Sequence, residues 1–256
     1  MFELLKCPLP EVVVKSAESA TIISDPVSPL GSFYPHGFEV EPELARHFMV
    51  TDVKVGINSQ LVSSCCFPCS LFAASTPLRL RMDRMLPGSR IVVSVTNCSA
   101  TSVMFKGAVL GSRKRYFADP LYVLGLGYSV VRTPSALVTI QTQVPLRPRA
   151  LYVPPYVLDD FDVVSLKQGK YLDSPEQSSV DPSRLTKPSL LAGGEIEFSP
   201  VPYAGAGAPL SVLVSRVGSP RTVVGVKVDD NSPRYFTGAI LASPVDKTTE
   251  SQSDES

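Results

Sequence analysis

"FKGAVL" occupies residues 105–110 and "FTGAIL" occupies residues 236–241. The echo extends outward on both sides. When "RIVVSVTNCSATSVMFKGAVLGS" (90–112) is laid over "RTVVGVKVDDNSPRYFTGAILAS" (221–243), these pairs are identical without a gap: Arg90/Arg221, Val92/Val223, Val93/Val224, Val95/Val226, Phe105/Phe236, Gly107/Gly238, Ala108/Ala239, Leu110/Leu241 and Ser112/Ser243. Background composition gives roughly one or two such matches over that window. An earlier pair keeps the same order: "FEVEPELARHFMVTDVKVG" (38–56) over "LYVPPYVLDDFDVVSLKQG" (151–169) matches Val40/Val153, Pro42/Pro155, Phe48/Phe161, Val50/Val163, Lys54/Lys167 and Gly56/Gly169. The spacing is 113 in the earlier window and 131 in the later one, so the second copy carries 18 extra residues. The Ser/Pro/Gly-rich stretch "SPEQSSVDPSRLTKPSLLAGGE" (174–195) is the expected place for most of them. Two copies of roughly 100 residues are too few for a solenoid and predict tandem or pseudo-twofold domains.

Each copy reads as strands. "PLRLRMD" (77–83) alternates Leu78, Leu80 and Met82 with Arg79, Arg81 and Asp83, and its expected counterpart is "PLSVLVS" (209–215), with Leu210, Val212 and Val214 facing inward. A Gly/Pro turn follows each. Then comes "RIVVSVTN" or "RTVVGVKV", predicting an antiparallel hairpin. Gly107 and Gly238 sit mid-strand, where glycine marks a bulge or a close backbone approach. "EPELARHF" (41–48) and "PPYVLDDF" (154–161) each place Pro at a first helical position, predicting one helical turn before a strand. "ALVTIQTQV" (136–144) opens the second copy and "ATIISDPV" (20–27) is its partner in the first.

Turns every 8–12 residues and little helical periodicity predict an all-β fold of two tandem duplicated antiparallel β-sandwich domains, jelly-roll-like in kind. The expected organisation is an N-terminal arm (1–19), copy one (20–112), a tyrosine-rich linker, added hairpin or arm (113–135), copy two (136–243) and a polar, disordered tail (244–256).

Composition narrows the partners. Apolar residues make up 44% and charged residues 19%, which fits a packed globular protein. The 24 basic and 24 acidic residues balance, so no nucleic-acid or anionic-membrane signal is present and nothing opposes protein–protein association. "MFELLKCPLPEVVVK" lacks a basic leader followed by an apolar run and a cleavage site, and the longest apolar stretches fall short of the roughly 18–20 residues that cross a bilayer. The chain is therefore expected without signal peptide or transmembrane segment. Cys7, Cys65, Cys66, Cys69 and Cys98 are odd in number and clustered in "SCCFPCS", which predicts reduced thiols rather than a disulfide framework.

A search for chemistry yields no catalytic, cofactor-binding or metal site. Histidine occurs only at His36 and His47, and His47 falls opposite Asp160 of the other copy, so surface or loop roles are the default. Cys65, Cys66 and Cys69 lack the second spaced pair that structural zinc requires. "GLGYS" (125–129) is neither a dinucleotide fingerprint nor a phosphate loop, "DDFD" (159–162) and "VDD" (228–230) read as solvated turn acids, and "RKR" (113–115) as a solubilising loop.

With the hairpin "PLRLRMDRMLPGSRIVVSVTN", the "FKGAVLGS"/"FTGAILAS" strand pair and a loose linker and tail, residues 20–243 resemble viral jelly-roll capsid or virion-surface structural proteins. That resemblance implies a non-enzymatic protein that self-associates into a shell or fibre, as a homo-oligomer and with other structural subunits, in a virion or an intracellular assembly. Neither terminus carries the basic arm of many genome-enclosing shells, which argues against direct genome contact and leaves an outer or minor shell component open. The alternative is a tandem binding module that recognises a glycan or protein. Tyr116, Tyr122 and Tyr128 are its candidate interface residues, with aromatic packing between domains as the plainer role.

Overall fold

The computed structural model describes residues 5–26, 33–73, 80–114, 121–168, 195–197, 206–216, 222–223, 226–227 and 234–244. The first half holds β1 (Leu5–Pro8), β2 (Val12–Val14), β3 (Ser19–Ile23), β4 (Tyr34–Val40), β5 (Phe48–Val55), β6 (Asn58–Ser59), β7 (Phe67–Pro68), β8 (Ile91–Asn97), β9 (Val103–Phe105) and β10 (Gly107–Ser112). The second half holds β11 (Tyr122–Val131), β12 (Ser135–Gln141), β13 (Leu146–Tyr152), β14 (Phe161–Gln168), β15 (Glu195–Glu197), β16 (Pro209–Arg216), β17 (Thr222–Val223), β18 (Val226–Lys227) and β19 (Arg234–Pro244). Helix among the described residues is limited to α1 (Pro42–Ala45), α2 (Pro155–Leu158) and a 3-10 turn at Cys69–Phe72. The fold is all-β, sandwich-like, and its named strands pair antiparallel.

Strand formation follows from residue alternation. In β8 "IVVSVTN" the residues Ile91, Val93 and Val95 are buried while Val92, Ser94 and Thr96 face outward. β-Branched residues stand well on such a half-buried pleat. α1 and α2 each carry a proline at the start, where its missing N–H costs nothing.

One pairing scheme occurs in both halves. In the first, β10 lies between β1 and β4, β2 pairs β9, and β8 lies between β3 and β5. In the second, β19 lies between β11 and β13, and β16 lies between β12 and β14. The registers agree as well. Lys6 pairs Leu110 as Val123 pairs Leu241, and Val13 pairs Met104 as Val130 pairs Tyr235. β4 carries His36 as an extra residue between the pairs Pro35–Gly111 and Gly37–Leu110; β13 carries Arg149 between Pro148–Ala242 and Ala150–Leu241. β5 bulges at Thr51 and β14 at the equivalent Val164. Bulges at matching sites re-aim matching side chains. Inside, Phe48 meets Phe105 edge-on at 5.3 Å, and Phe161 meets Phe236 edge-on at 5.6 Å, both at 82°. Edge-to-face rings of this kind add to the area that they bury.

Several sequence expectations need correction. The described residues of the expected arm are built into the first half: β1 and β2 pair with β10 and β9. Within 113–135 the described residues 122–131 are not a linker, because β11 pairs with β19 on both sides of its bulge. The equivalent of "RIVVSVTN" is "PLSVLVSR" (β16), not "RTVVGVKV", whose described residues form the small β17–β18 hairpin. The described part of "PLRLRMD", residues 80–83, forms no hairpin strand; within it Leu80 makes an isolated bridge to Leu121, and nearby Met85 makes one to Phe33. The offset between equivalents is 113 from Phe48 to Phe161, 119 from Ile91 to Leu210 and 131 from Phe105 to Phe236. Six of the 18 extra residues thus precede β16 and twelve follow it, the reverse of the expected weighting. The tail 245–256 and residues 174–194 lie outside the described residues.

Two cores result, and one sheet serves both. Along β19 residues 236–243 are buried without interruption. Phe236, Ile240 and Ala242 join the second-half core, whereas Ala239 and Leu241 join the first-half core with Val123, Ala150 and Tyr152. A chain lacking residues 1–14 should lose cooperative thermal unfolding or fail to remain soluble, since two ladders go with it. An unchanged melt would restore the arm reading.

Candidate functional site

At the junction between the halves, four positions on one sheet face differ in character from their first-half equivalents. In the first half that face carries two exposed ion pairs, Lys6 with Glu39 and Lys106 with Glu11, the latter at 3.3 Å. At the equivalent positions the second half has Val123, Tyr152, Thr237 and Tyr128. Charge there would be costly to desolvate, so the neutral version of the face is the one that can be covered. It is covered by β7 and its neighbours in the first half, including Phe67.

The "SCCFPCS" segment is the seat of this contact. The Gly127 N–H donates to the Cys66 carbonyl at 2.9 Å, the Gly125 N–H to Ser63 Oγ at 3.2 Å, and the Gln143 N–H to the Val62 carbonyl at 3.2 Å. The Thr237 hydroxyl donates to the Gly127 carbonyl at 2.7 Å and lies 3.7 Å from Met49 Sδ. A Cβ at residue 125 would overlap the carbonyl oxygens of Cys65 and Cys66, so only glycine permits the approach. Gly238 obeys the same logic: its added Cβ would stand 2.7 Å from the Tyr152 carbonyl oxygen. Of the two roles expected for Gly107 and Gly238, a bulge or a close backbone approach, the second is the one found at Gly238.

The thiols fit that structural role. All five cysteines are free. Burial pushes the Cys69, Cys66, Cys98 and Cys7 thiols upward, so they are protonated near neutral pH and poor nucleophiles or metal ligands. Among the described residues no group of three or more His, Cys, Asp or Glu side chains is placed to hold a metal ion. His47 accepts a hydrogen bond from Arg46 Nε at 3.3 Å, and burial followed by the Arg46 charge lowers its pKa. His36 sits in the β4 bulge, where the other half has Arg149. Of the turn acids, Asp160 pairs with Arg234 at 3.1 Å. A cavity of about 20 Å³ between the halves, bordered by Phe38, Phe67, Leu80, Tyr122 and Val123, has room for one water.

The candidate tyrosines separate. Tyr116 lies outside the described residues. Tyr122 is half-buried beside that cavity, with the Arg81 guanidinium 5.4 Å from its ring centre. Tyr128 is 43% exposed and stacks on Tyr235 at 4.7 Å and 13°. Sequence reasoning missed Tyr235 and Tyr156, which are exposed to 44% and 40%, and the neighbouring Val130. Tyr156 lies near enough to Tyr128 for their charges to interact, and burial raises both phenols, keeping them neutral. At the matching first-half positions stand Glu11, Met104 and Glu43 for Tyr128, Tyr235 and Tyr156. The signal was present in the repeat itself, as glutamate exchanged for tyrosine at Tyr128 and Tyr156 and methionine for tyrosine at Tyr235.

A second contrast lies on the outer face of β12, β16 and β14. Leu137, Leu213 and Val164 occupy the places of Thr21, Ser94 and Thr51. Leu137 and Val164 are exposed. No protein-family model matches this chain, and no curated protein matches it significantly in sequence. No helix among the described residues is long and apolar enough to cross a membrane.

Replacing Gly125 by Ala should destabilise the protein by about 1–3 kcal/mol in chemical denaturation, the usual cost of forcing extra volume into a filled site. A loss below a few tenths of a kcal/mol would show that the halves are not in contact there.

Proposed function

We propose that this chain is a non-enzymatic structural protein, derived by duplication of a β-sandwich unit, that self-associates into a shell or fibre as a virus capsid or virion-surface component. The observation that carries this reading is the manner in which the halves join. A sheet face of one unit, stripped of its ion pairs, packs on the β7 segment of another. Units that pack in this way already possess the lateral contact that an assembly needs. The exposed apolar pairs Val13–Met104 and Val130–Tyr235 occur at matching places in both units. Balanced charge leaves no long-range repulsion between copies. Its partners are then copies of itself and other structural subunits. Sedimentation velocity should show a mass that climbs with concentration, and electron micrographs should show particles or filaments. A monomer at every concentration would defeat the reading.

A second reading is favoured by the three clustered tyrosines. Tyr128, Tyr156 and Tyr235 offer neutral aromatic surface with hydroxyl groups, which suits a sugar ring or a peptide on a glycan- or protein-binding module. Saturable binding on a glycan array that Tyr128→Ala and Tyr235→Ala abolish would favour it, and an array without signal would favour assembly.

A further inference from the structure

Among the described residues β12 has a strand on one side only, β16. The Arg216 N–H donates to the Pro134 carbonyl at 2.8 Å. Stepping by two along the same register, Ala136–Val214, Val138–Val212 and Ile140–Leu210 are therefore the hydrogen-bonded pairs of this ladder. The N–H and C=O groups of Ser135, Leu137, Thr139 and Gln141 then point away from β16, toward the open edge. The Ser135 carbonyl agrees, for it accepts from the Thr133 hydroxyl at 2.6 Å. We propose that two copies of this chain join by antiparallel pairing of β12 with β12, about a two-fold axis at Val138, so that their two sheets become one. This rests on the self-associating reading above and assigns one of its surfaces.

The strand is its own complement. With Val138 opposite Val138, Ser135 falls opposite Gln141 and Leu137 opposite Thr139, so outward-directed groups meet outward-directed groups along all seven residues. Leu137 is 54% exposed and becomes a diagonal neighbour of its counterpart. The apolar row Val164, Leu213, Leu137 on the outer sheet face thus runs on into the second copy. A peptide of other sequence would fill the ladder without continuing that row. β12 also lacks the devices that keep sheet edges apart: residues 133–146 include no charged side chain, and the strand has neither proline nor bulge. The first half supplies the contrast. Its edge strand β3 has Thr21 in place of Leu137 and is flanked by Glu18 and Asp25, so two copies meeting there would oppose like charges. Being isologous, the β12 contact closes as a pair, and a shell or fibre assembled from such pairs uses a further contact.

Sedimentation velocity of the full chain and two variants tests this. Thr139→Pro removes an N–H that the ladder to β16 does not use, and Leu137→Lys puts a charge in the exposed row. Each should raise the concentration needed for association by about tenfold or more, because a two-fold contact loses every interaction twice. Far-UV circular dichroism and the thermal midpoint report whether each variant folds, and Leu137→Lys decides alone if the proline variant does not. Hydrogen exchange of the wild type gives a second readout. On association the amides of Leu137, Thr139 and Gln141 should slow, whereas those of Ala136, Val138 and Ile140 are protected at every concentration. Association that the folded variants retain unchanged, or that leaves the three edge amides fast, overturns this contact and leaves self-association standing. A wild type that remains monomeric overturns both.

Discussion

The structure depends on a strand that has no solvent side. An antiparallel strand ordinarily keeps one face in water. Over residues 236–243 β19 keeps neither, because its alternate residues enter two different cores. This demands small or apolar residues at each buried step, and "FTGAILAS" supplies them. It also demands close backbone approach from β13, which Gly238 permits. Once β19 is buried on both sides, its neighbours β11 and β13 are drawn into the same two-sided environment, with Val123 and Tyr152 toward one core and Leu124 and Leu151 toward the other. The halves then share packing rather than merely touching.

The pairing scheme is common to both halves, so their differences lie mainly in what points outward. Inward positions hold their character: Phe48 and Phe161, Val50 and Val163, Phe105 and Phe236, and Val109 and Ile240 occupy matched core sites. Outward positions exchange charge for neutrality at Lys6, Glu11, Glu39 and Lys106, and hydroxyls for leucine or valine at Thr21, Ser94 and Thr51. The first half can bear its charges because they are paired in water, where each pair adds little to stability. The second half cannot bear them where it is covered. One scaffold thereby presents a sealed face inside the molecule and open ones outside, an arrangement suited to units that pack in series.

Much of this was legible in the repeat. The spacing of Phe, Gly, Ala and Leu in the echoed strand encodes the ring contact, the close approach and the register together. The one-turn helices were marked by their prolines. The middle strand was misread because letter identity favoured "RTVVGVKV", whereas the ladder selects for alternation, which Leu210, Val212 and Val214 provide as Ile91, Val93 and Val95 do. β1 and β2 were missed because they are short, punctuated by Pro8 and Pro10, and paired with strands at the far end of the unit. No local signal announces so distant a partner. β11 had the look of a linker because its stretch is tyrosine-rich and finds no match in the repeat, yet Gly125 is where the carbonyls of Cys65 and Cys66 press in and Gly127 donates its N–H to Cys66. The cysteine cluster revealed nothing of its role, since its backbone carbonyls make the hydrogen-bonded contact and its side chains serve only as packing.

The central claim is that a two-sided strand makes the halves one cooperative body, and native-state hydrogen exchange tests it most directly. The account predicts that amides of β19, β16, β5 and β8 exchange only through a shared global opening, with one free energy and one denaturant dependence. Two sets of amides, one for each half, opening with different free energies and different denaturant slopes, would contradict it.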